Sequence, residues 1–386
     1  MHIVFVEGYY PRDSGRIGGA GYYVQNIGYQ LIKLGHEVSV ICARVQENKF
    51  YFEDGEIDVY PIINTQPAKI IYFMNRLPII KYISGLLFYL HNGIKIHLFL
   101  RNLNQNQKID FIEYSEGGDF WNALTKRFKY ASHLHGSNYT FKSQSDKKPD
   151  FIDWVRRKFE HVFIIRADKV ISPCRAMVEL VEKEMGSKMN NAHIIPYPIP
   201  DNDIEPILDQ DGQKKVNLLF ASRNDPIKGG DIFIKVLELL PKPIQLKINV
   251  EFYGFIAERD LSHLSFLKIN KFVPKEILNR AYQKTHICVI PSLFDNSPNT
   301  VYEAMAYGKI VVASSVGGIP EIIGNNQNGF LFDPLDINDF KLKLENAINA
   351  VASGGSYSFR INAQRRILSV SDLKVNAKTR LALMTS

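Results

Sequence analysis

The chain has 386 residues, 45% hydrophobic and 23% charged, with a formal net charge of +7. It is long for one domain and suits two domains with sizeable cores. Its three cysteines, Cys42, Cys174 and Cys288, lie far apart, which excludes a disulfide framework and a cysteine-based metal site and points to a reducing cytosol. The basic clusters Lys126-Arg127-Lys129 and Arg156-Arg157-Lys158 suit anionic headgroups, phosphates or plain solvation. No nucleic-acid-binding motif accompanies them.

The start, MHIVFVEGYY, has too short an apolar run for a signal peptide and reads as a first strand, His2–Val6. A glycine-rich loop follows, Gly15-Arg16-Ile17-Gly18-Gly19-Ala20-Gly21, and then a helix over Tyr22–Leu34 closed by Gly35. The loop does not register as Gly-x-Gly-x-x-Gly. The acidic residue that a dinucleotide site needs at the end of the second strand is replaced by Ile41-Cys42-Ala43-Arg44. A nicotinamide or flavin enzyme is thereby disfavoured, although these glycines still permit close backbone approach to phosphate.

Further strands are predicted at Glu37–Cys42, Ile57–Ile62, Phe111–Tyr114, His133–His135, Lys169–Ile171 and Ala192–Pro196. The apolar region Ile70 to Leu100 is interrupted by Lys81, His91, Lys95 and His97, so it does not cross a bilayer. It suits either a helix lying on a membrane surface or a core-facing helical pair. Two strand ends carry candidate chemistry. Glu116, in Tyr114-Ser115-Glu116-Gly117-Gly118, is either an acceptor-side group or a surface carboxylate. His133-Leu134-His135-Gly136-Ser137 offers two imidazoles, His135 the stronger candidate.

Around Pro196–Lys214 the chain turns polar and Pro/Asp-rich, as a linker does. Asp209-Gln210-Asp211 lies there rather than at a strand end, so it reads as a solvated connector and not a metal site. A second βα series then runs through Val216–Ala221, Ile232–Leu240, Gln245–Tyr253 and His286–Pro291. At the end of its first strand, Phe220-Ala221-Ser222-Arg223-Asn224-Asp225-Pro226-Ile227-Lys228-Gly229-Gly230 delivers two cations, Arg223 and Lys228, to the sheet edge where ligands of open α/β sheets bind. Phe272 and Val273, ahead of Pro274, suit either base contacts or strand-end core.

The most informative stretch is Pro291–Gly318, PSLFDNSPNTVYEAMAYGKIVVASSVGG. It reads as a strand end, a polar loop, a helix and a second strand. Ser297 is the predicted N-cap and Pro298 the first helical residue, with the helix running to about Tyr307 and stopping at Gly308. The amides of Asn299 and Thr300 then face phosphate oxygens at the positive helix end. Asp295 on the loop and Glu303 one turn into the helix supply two carboxylates for hydroxyl groups. Glu321, after Gly317-Gly318-Ile319-Pro320, most simply complements a helix N-terminus.

This block resembles the donor-site signature of the family 4 retaining glycosyltransferases. The usual form there is Glu, seven residues, Glu, then Ala-Met-Ala-x-Gly. Glu303-Ala304-Met305-Ala306-Tyr307-Gly308 fits it, and Asp295 stands one methylene short of the first Glu. The resemblance implies a GT-B fold: two Rossmann-like doubly wound α/β domains facing a cleft, over residues 1–198 and 199–357, with a helical segment, 358–386, crossing back to the first domain. It implies that Arg223 and Lys228 bind the donor diphosphate, Glu303 the ribose and Asp295 the sugar hydroxyls. It further implies that His135 faces the transferred sugar and that Gly18 and Gly19 lie near the phosphates.

The expected activity is retaining, metal-independent transfer of a hexose from a nucleotide-diphosphate sugar, UDP favoured over GDP, to a glycan or lipid-linked acceptor. No cofactor is expected. The expected location is cytoplasmic, with peripheral contact at the inner face of a membrane. The alternatives are a catalytically degenerate sugar-nucleotide-binding subunit and a GT-B epimerase or hydrolase.

Overall fold

The computed structural model describes residues 1–11, 19–45, 51–63, 78–144, 148–200, 204, 206–207, 215–223, 225–254, 260–270 and 273–386. Gly18, Phe272, Asp209-Gln210-Asp211 and the first part of the Ile70–Leu100 region lie outside the described residues. The chain divides into two compact units, one comprising Met1–Pro198 and Leu373–Ser386 and the other Ile199–Asp372.

The first unit contains β1 (His2–Glu7), α1 (Gly19–Lys33), β2 (Glu37–Val45), β3 (Phe52–Asp54), β4 (Ile57–Ile63), α2 (Pro78–Asn106), β5 (Phe111–Ser115), α3 (Phe120–Thr125), β6 (Tyr130–His133), α4 (Asn138–Ser143), α5 (Phe151–Ile165), β7 (Lys169–Ser172), α6 (Arg175–Met185) and β8 (Ala192–Ile194). The sheet order is β3-β4-β2-β1-β5-β6-β7-β8. Every pairing is parallel except β3 with β4, an antiparallel pair turned at Gly55, where φ is +63°. All six residues of β1 are buried, as expected of a central parallel strand covered on both faces. Helix α1 buries Tyr23, Val24, Ile27 and Leu31, one apolar face at helical spacing. Helix α5 opens on a reciprocal Asp150/Asp153 capping box.

The second unit contains β9 (Val216–Ala221), α7 (Gly230–Leu239), α8 (Lys242–Gln245), β10 (Ile248–Tyr253), β11 (Leu267–Asn270), α9 (Lys275–Lys284), β12 (Ile287–Ile290), α10 (Asn299–Ala306), β13 (Ile310–Ser314), α11 (Ile319–Ile322), β14 (Phe330–Phe332), α12 (Ile337–Ala352) and α13 (Tyr357–Ser371). Its sheet, β11-β10-β9-β12-β13-β14, is parallel throughout. Phe220, Phe233, Phe252, Phe332 and Phe340 lie in one core with the aliphatic strand residues. Strand β9 is flanked by β10 on one side and β12 on the other. The strand order therefore reverses between β9 and β12, the kind of switch point outside whose carboxyl ends ligands of open α/β sheets bind.

Three expectations change. The strand predicted at His133–His135 is Tyr130–His133, so His135 sits in the following loop, where no ladder constrains its side chain. Helix α10 begins at Asn299 with Pro298 as its cap and no side-chain cap bond; the Ser297 hydroxyl is instead 2.6 Å from the Tyr302 hydroxyl. The segment returning to the first unit starts at Leu373 rather than 358. Helix α13 stays with the second unit because Arg360 Nε donates to Gly308 O at 3.0 Å and Gln364 Nε2 donates to Ala306 O at 2.7 Å. These bonds occupy carbonyls left open at the end of α10. The last helix, α14 (Leu373–Thr385), buries Ala377, Arg380 and Met384 in the first unit.

Candidate active site

In the second unit the loops after β9, β12 and β13 meet at one sheet edge. Leu293 N donates to Ile227 O at 2.8 Å, tying the first two loops, and Gly318 N donates to Asn296 O at 2.8 Å, tying the last two. Both junctions require glycine. At Gly229 (φ +72°) a Cβ would stand 1.8 Å from Pro291 O, and at Gly317 (φ +52°) it would stand 1.6 Å from Asp295 O. Only a residue without a side chain permits this approach.

The packing brings the predicted cation and carboxylate into contact. Lys228 Nζ lies 2.5 Å from Asp295 Oδ2, and Ser292 Oγ donates to the same oxygen at 3.2 Å. Asp295 is buried and Lys228 half-buried. A methylene shorter than Glu, Asp295 still holds a full charge-assisted bond. Arg223 is exposed just beyond β9. Asn299 and Thr300 open α10, half-buried. Glu303 lies on the same helix, with Oε2 accepting from the buried Tyr282 hydroxyl at 3.0 Å. Thus Lys228 and Asp295 meet directly, while Arg223, Asn299, Thr300 and Glu303 lie on adjoining segments of the same edge.

The first unit places His135 within a buried polar group. Its Nδ1 is 2.6 Å from the Tyr197 hydroxyl, and its ring plane is nearly parallel to that of Tyr197 (11°). Nε2 lies 3.1 Å from Glu7 Oε1, though not aligned for a hydrogen bond. The ring also lies against that of His133, the centroids 3.9 Å apart and the planes tilted by 32°. His133 is wholly buried, and its Nδ1 is 2.8 Å from Glu113 Oε1. Glu113 also accepts from the Tyr23 hydroxyl at 2.5 Å and from Arg380 Nη1 at 3.1 and 3.2 Å. Burial opposes the Glu113 charge, but Arg380, His133 and Tyr23 outweigh it and hold the carboxyl down at about 2. Burial, with His135 alongside, pushes His133 well below its ordinary value.

Glu116 is engaged on both oxygens, by Gly136 N at 2.6 Å and Arg157 Nη1 at 3.2 Å. Arg157 is 2% exposed and also binds Glu160 and Glu184. This gives Glu116 a structural bond set alongside the acceptor-side part expected of it. Gly19 is the first residue of α1. Sequence reasoning missed Glu7, Tyr23, Glu113, Tyr197 and Arg380, and it missed the contact of Gly317 with Asp295. The only linear signal was Glu113 two residues after the start of a strand. Arg380 lies 267 positions further along the chain.

Two family models cover most of the chain: Glycosyltransferase Family 4 over residues 17–203 and Glycosyl transferases group 1 over residues 215–350. An uncharacterized glycosyltransferase of Haemophilus influenzae is 25% identical over 359 residues, 89% of this chain and 90% of its own length. Among solved structures, sucrose-phosphate synthase from Thermosynechococcus elongatus matches with a TM-score of 0.77 at 17% identity, covering all of this chain and 98% of the other. Anabaena HepE, solved in complex with UDP-glucose, matches with a TM-score of 0.69 at 17% identity, over all of this chain and 99% of its own. With two Rossmann-like units, both family models and these structural likenesses in agreement, the chain belongs to glycosyltransferase family 4 and has the GT-B fold.

Proposed function

We propose that this glycosyltransferase moves a hexose from a nucleotide-diphosphate sugar, UDP favoured over GDP, to a hydroxyl of a glycan or lipid-linked acceptor, with retention of anomeric configuration and without a metal or other cofactor. The observation that carries the reading is the Lys228–Asp295 contact at the β9/β12 edge, beside Arg223 and the open end of α10. In this reading Arg223 and Lys228 neutralise the diphosphate, the Asn299 and Thr300 amides bind its oxygens, Glu303 holds the ribose and Asp295 the sugar hydroxyls. His135 contacts the transferred sugar. HepE's complex with UDP-glucose supports the choice of base.

The bond from the anomeric carbon to the diphosphate oxygen breaks as the acceptor oxygen attacks the same face through an oxocarbenium-like state. The acceptor proton passes to the departing phosphate, so no protein nucleophile is needed. Charge grows on the leaving group, and two fixed cations stabilise it more in the transition state than in the ground state. Arg223→Ala and Lys228→Ala should each lower kcat/KM by about 10²-fold or more, comparable with removing one transition-state charge donor. Radiolabelled sugar transfer within twofold of wild type in both variants overturns the reading. Release of free sugar at full rate without acceptor would favour the hydrolase alternative.

A cytosolic, peripheral membrane position is part of this reading. Cys42, Cys174 and Cys288 are all buried. Among the described residues no helix is long and apolar enough to cross a membrane. The support for surface contact comes from α5, where Phe151, Trp154, Val162 and Ile165 are 69%, 48%, 38% and 61% exposed. These positions, with exposed Lys158, form one stripe at helical spacing. Phe151 stacks on Trp154, Lys158 lies over the indole, and Lys126 bonds the Arg166 carbonyl at the far end. Apolar rings flanked by cations suit an anionic lipid surface.

A further inference from the structure

We propose that Arg380, on the last helix, is a positioning residue for His135: through Glu113 it keeps His133 neutral and fixed as the ring against which His135 packs. The inference rests on the sugar-facing role given to His135 above. The chain of contacts is continuous. Arg380 Nη1 donates to both oxygens of Glu113, His133 Nδ1 meets Oε1 of the same carboxylate, and the His133 ring lies 3.9 Å from that of His135. Arg380 is itself held, by Nε donating to Asn376 Oδ1 at 2.9 Å and by its guanidinium 4.6 Å from the Tyr23 ring centroid. Arg380 is 0% exposed, His133 0% and Glu113 3%, so water screens none of these charges.

The arrangement dictates the protonation pattern. An ionised Glu113 accepts from His133 Nδ1–H, which leaves Nε2 as the lone-pair nitrogen. That Nε2 is buried with no hydrogen-bond partner among the described residues. A proton there would be a second buried cation facing Arg380, against His135. The groups around His133 are Glu113 on β5, Arg380 on α14, Tyr23 on α1, and His135 and Tyr197 on loops, with Glu7 of β1 beyond His135. Of these only Arg380 carries a permanent positive charge. Remove it, and Glu113 becomes an uncompensated buried carboxylate that draws a proton onto His133 or onto itself. His135 then rests on an imidazolium rather than an imidazole.

The test uses the full-length protein with UDP-glucose as the probe donor. Arg380→Met should lower kcat by on the order of 10²-fold with little change in donor KM, the signature of a misplaced reacting contact. Its acidic limb in the pH profile should move up by ~1 unit or more, and the His133 imidazole NMR titration should move with it. The double variant Glu113→Gln with Arg380→Met removes the stranded carboxylate and should return the limb to its wild-type position, whether or not kcat recovers. Arg380→Lys keeps the charge without the fork and should hold the limb while recovering only part of kcat. A folded Arg380→Met protein with kcat within twofold and an unmoved limb overturns the proposal, as does an unmoved His133 titration should kcat fall through general disorder. His135→Ala separates the premises. Full activity in that variant ends the sugar-facing reading, whereas the His133 titration in Arg380→Met still decides the link from Arg380.

Discussion

Glu160 is a buried carboxylate whose charge state is set by a mismatch. One guanidinium, Arg157, faces Glu116, Glu160 and Glu184, so these three acids share it. Burial first, and Glu116 beside it, push the Glu160 carboxyl up to about 7 against the pull of Arg157. A folded value above the unfolded one means that the stabilisation is fully present below about 4.5 and is lost as pH rises through about 7. Glu160→Gln mimics the protonated form. Its melting temperature should match wild type near pH 5 and exceed it by a few degrees at pH 8; a lower melting temperature at pH 8 shows that the ionised carboxylate is needed. His133 works in the opposite sense. Its lowered value means that unfolding takes up a proton below about 6.5, so its contribution is present above that pH and fades as the solution is acidified.

At the level of elements, the loop carrying Asp295 is fixed by backbone contacts as well as by the side-chain bonds of Asp295 and Ser297. Gly317 adopts φ +52° with the Asp295 carbonyl against its α-carbon. Gly317→Ala adds about 1–2 kcal/mol of left-handed strain and forces that carbonyl away. Calorimetry should show the second unit melting earlier, and isothermal titration should show donor binding weakened at least tenfold, about 1.4 kcal/mol. Unchanged donor affinity would mean that Asp295 is held by Lys228 and Ser292 alone. On α5, Trp154→Glu with Ile165→Glu places charge on the exposed stripe without touching the core side. Co-sedimentation with anionic phosphatidylglycerol vesicles should fall several-fold while soluble donor hydrolysis stays constant. Unchanged sedimentation removes the α5 face from the membrane reading.

For the whole molecule, the decisive feature is that the first unit is completed by residues from the other end of the chain. Asn376 Nδ2 donates to Pro196 O at 2.6 Å and Arg380 binds Glu113, both within that unit. Truncation after Asp372 removes these partners but leaves α13 seated on α10. The first unit should then melt at lower temperature, with the second unit's transition in place, as followed by calorimetry and by Trp121 and Trp154 fluorescence, both tryptophans being in the first unit. A parallel loss of both transitions would show that α14 supports more than the unit it packs in.

The amino-acid sequence by itself determined the α/β class, the boundary near Pro198 and the strand-loop-helix-strand block at Pro291–Gly318 on which the proposed donor site rests. These are written in local code: buried apolar strands, helix periodicity and turn residues within a short stretch of chain. Asp295, Lys228 and Arg223 were legible because strand ends in a parallel sheet point to a common edge. The tertiary structure alone decided that Lys228 reaches Asp295, that Glu116 is bound by Arg157, and that His135 lies against His133, whose own partner Glu113 is bound by Arg380. Such pairings depend on which side chains share a dehydrated interior, where a charge must find its counter-charge at whatever chain distance. Sequence spacing carries no record of that distance.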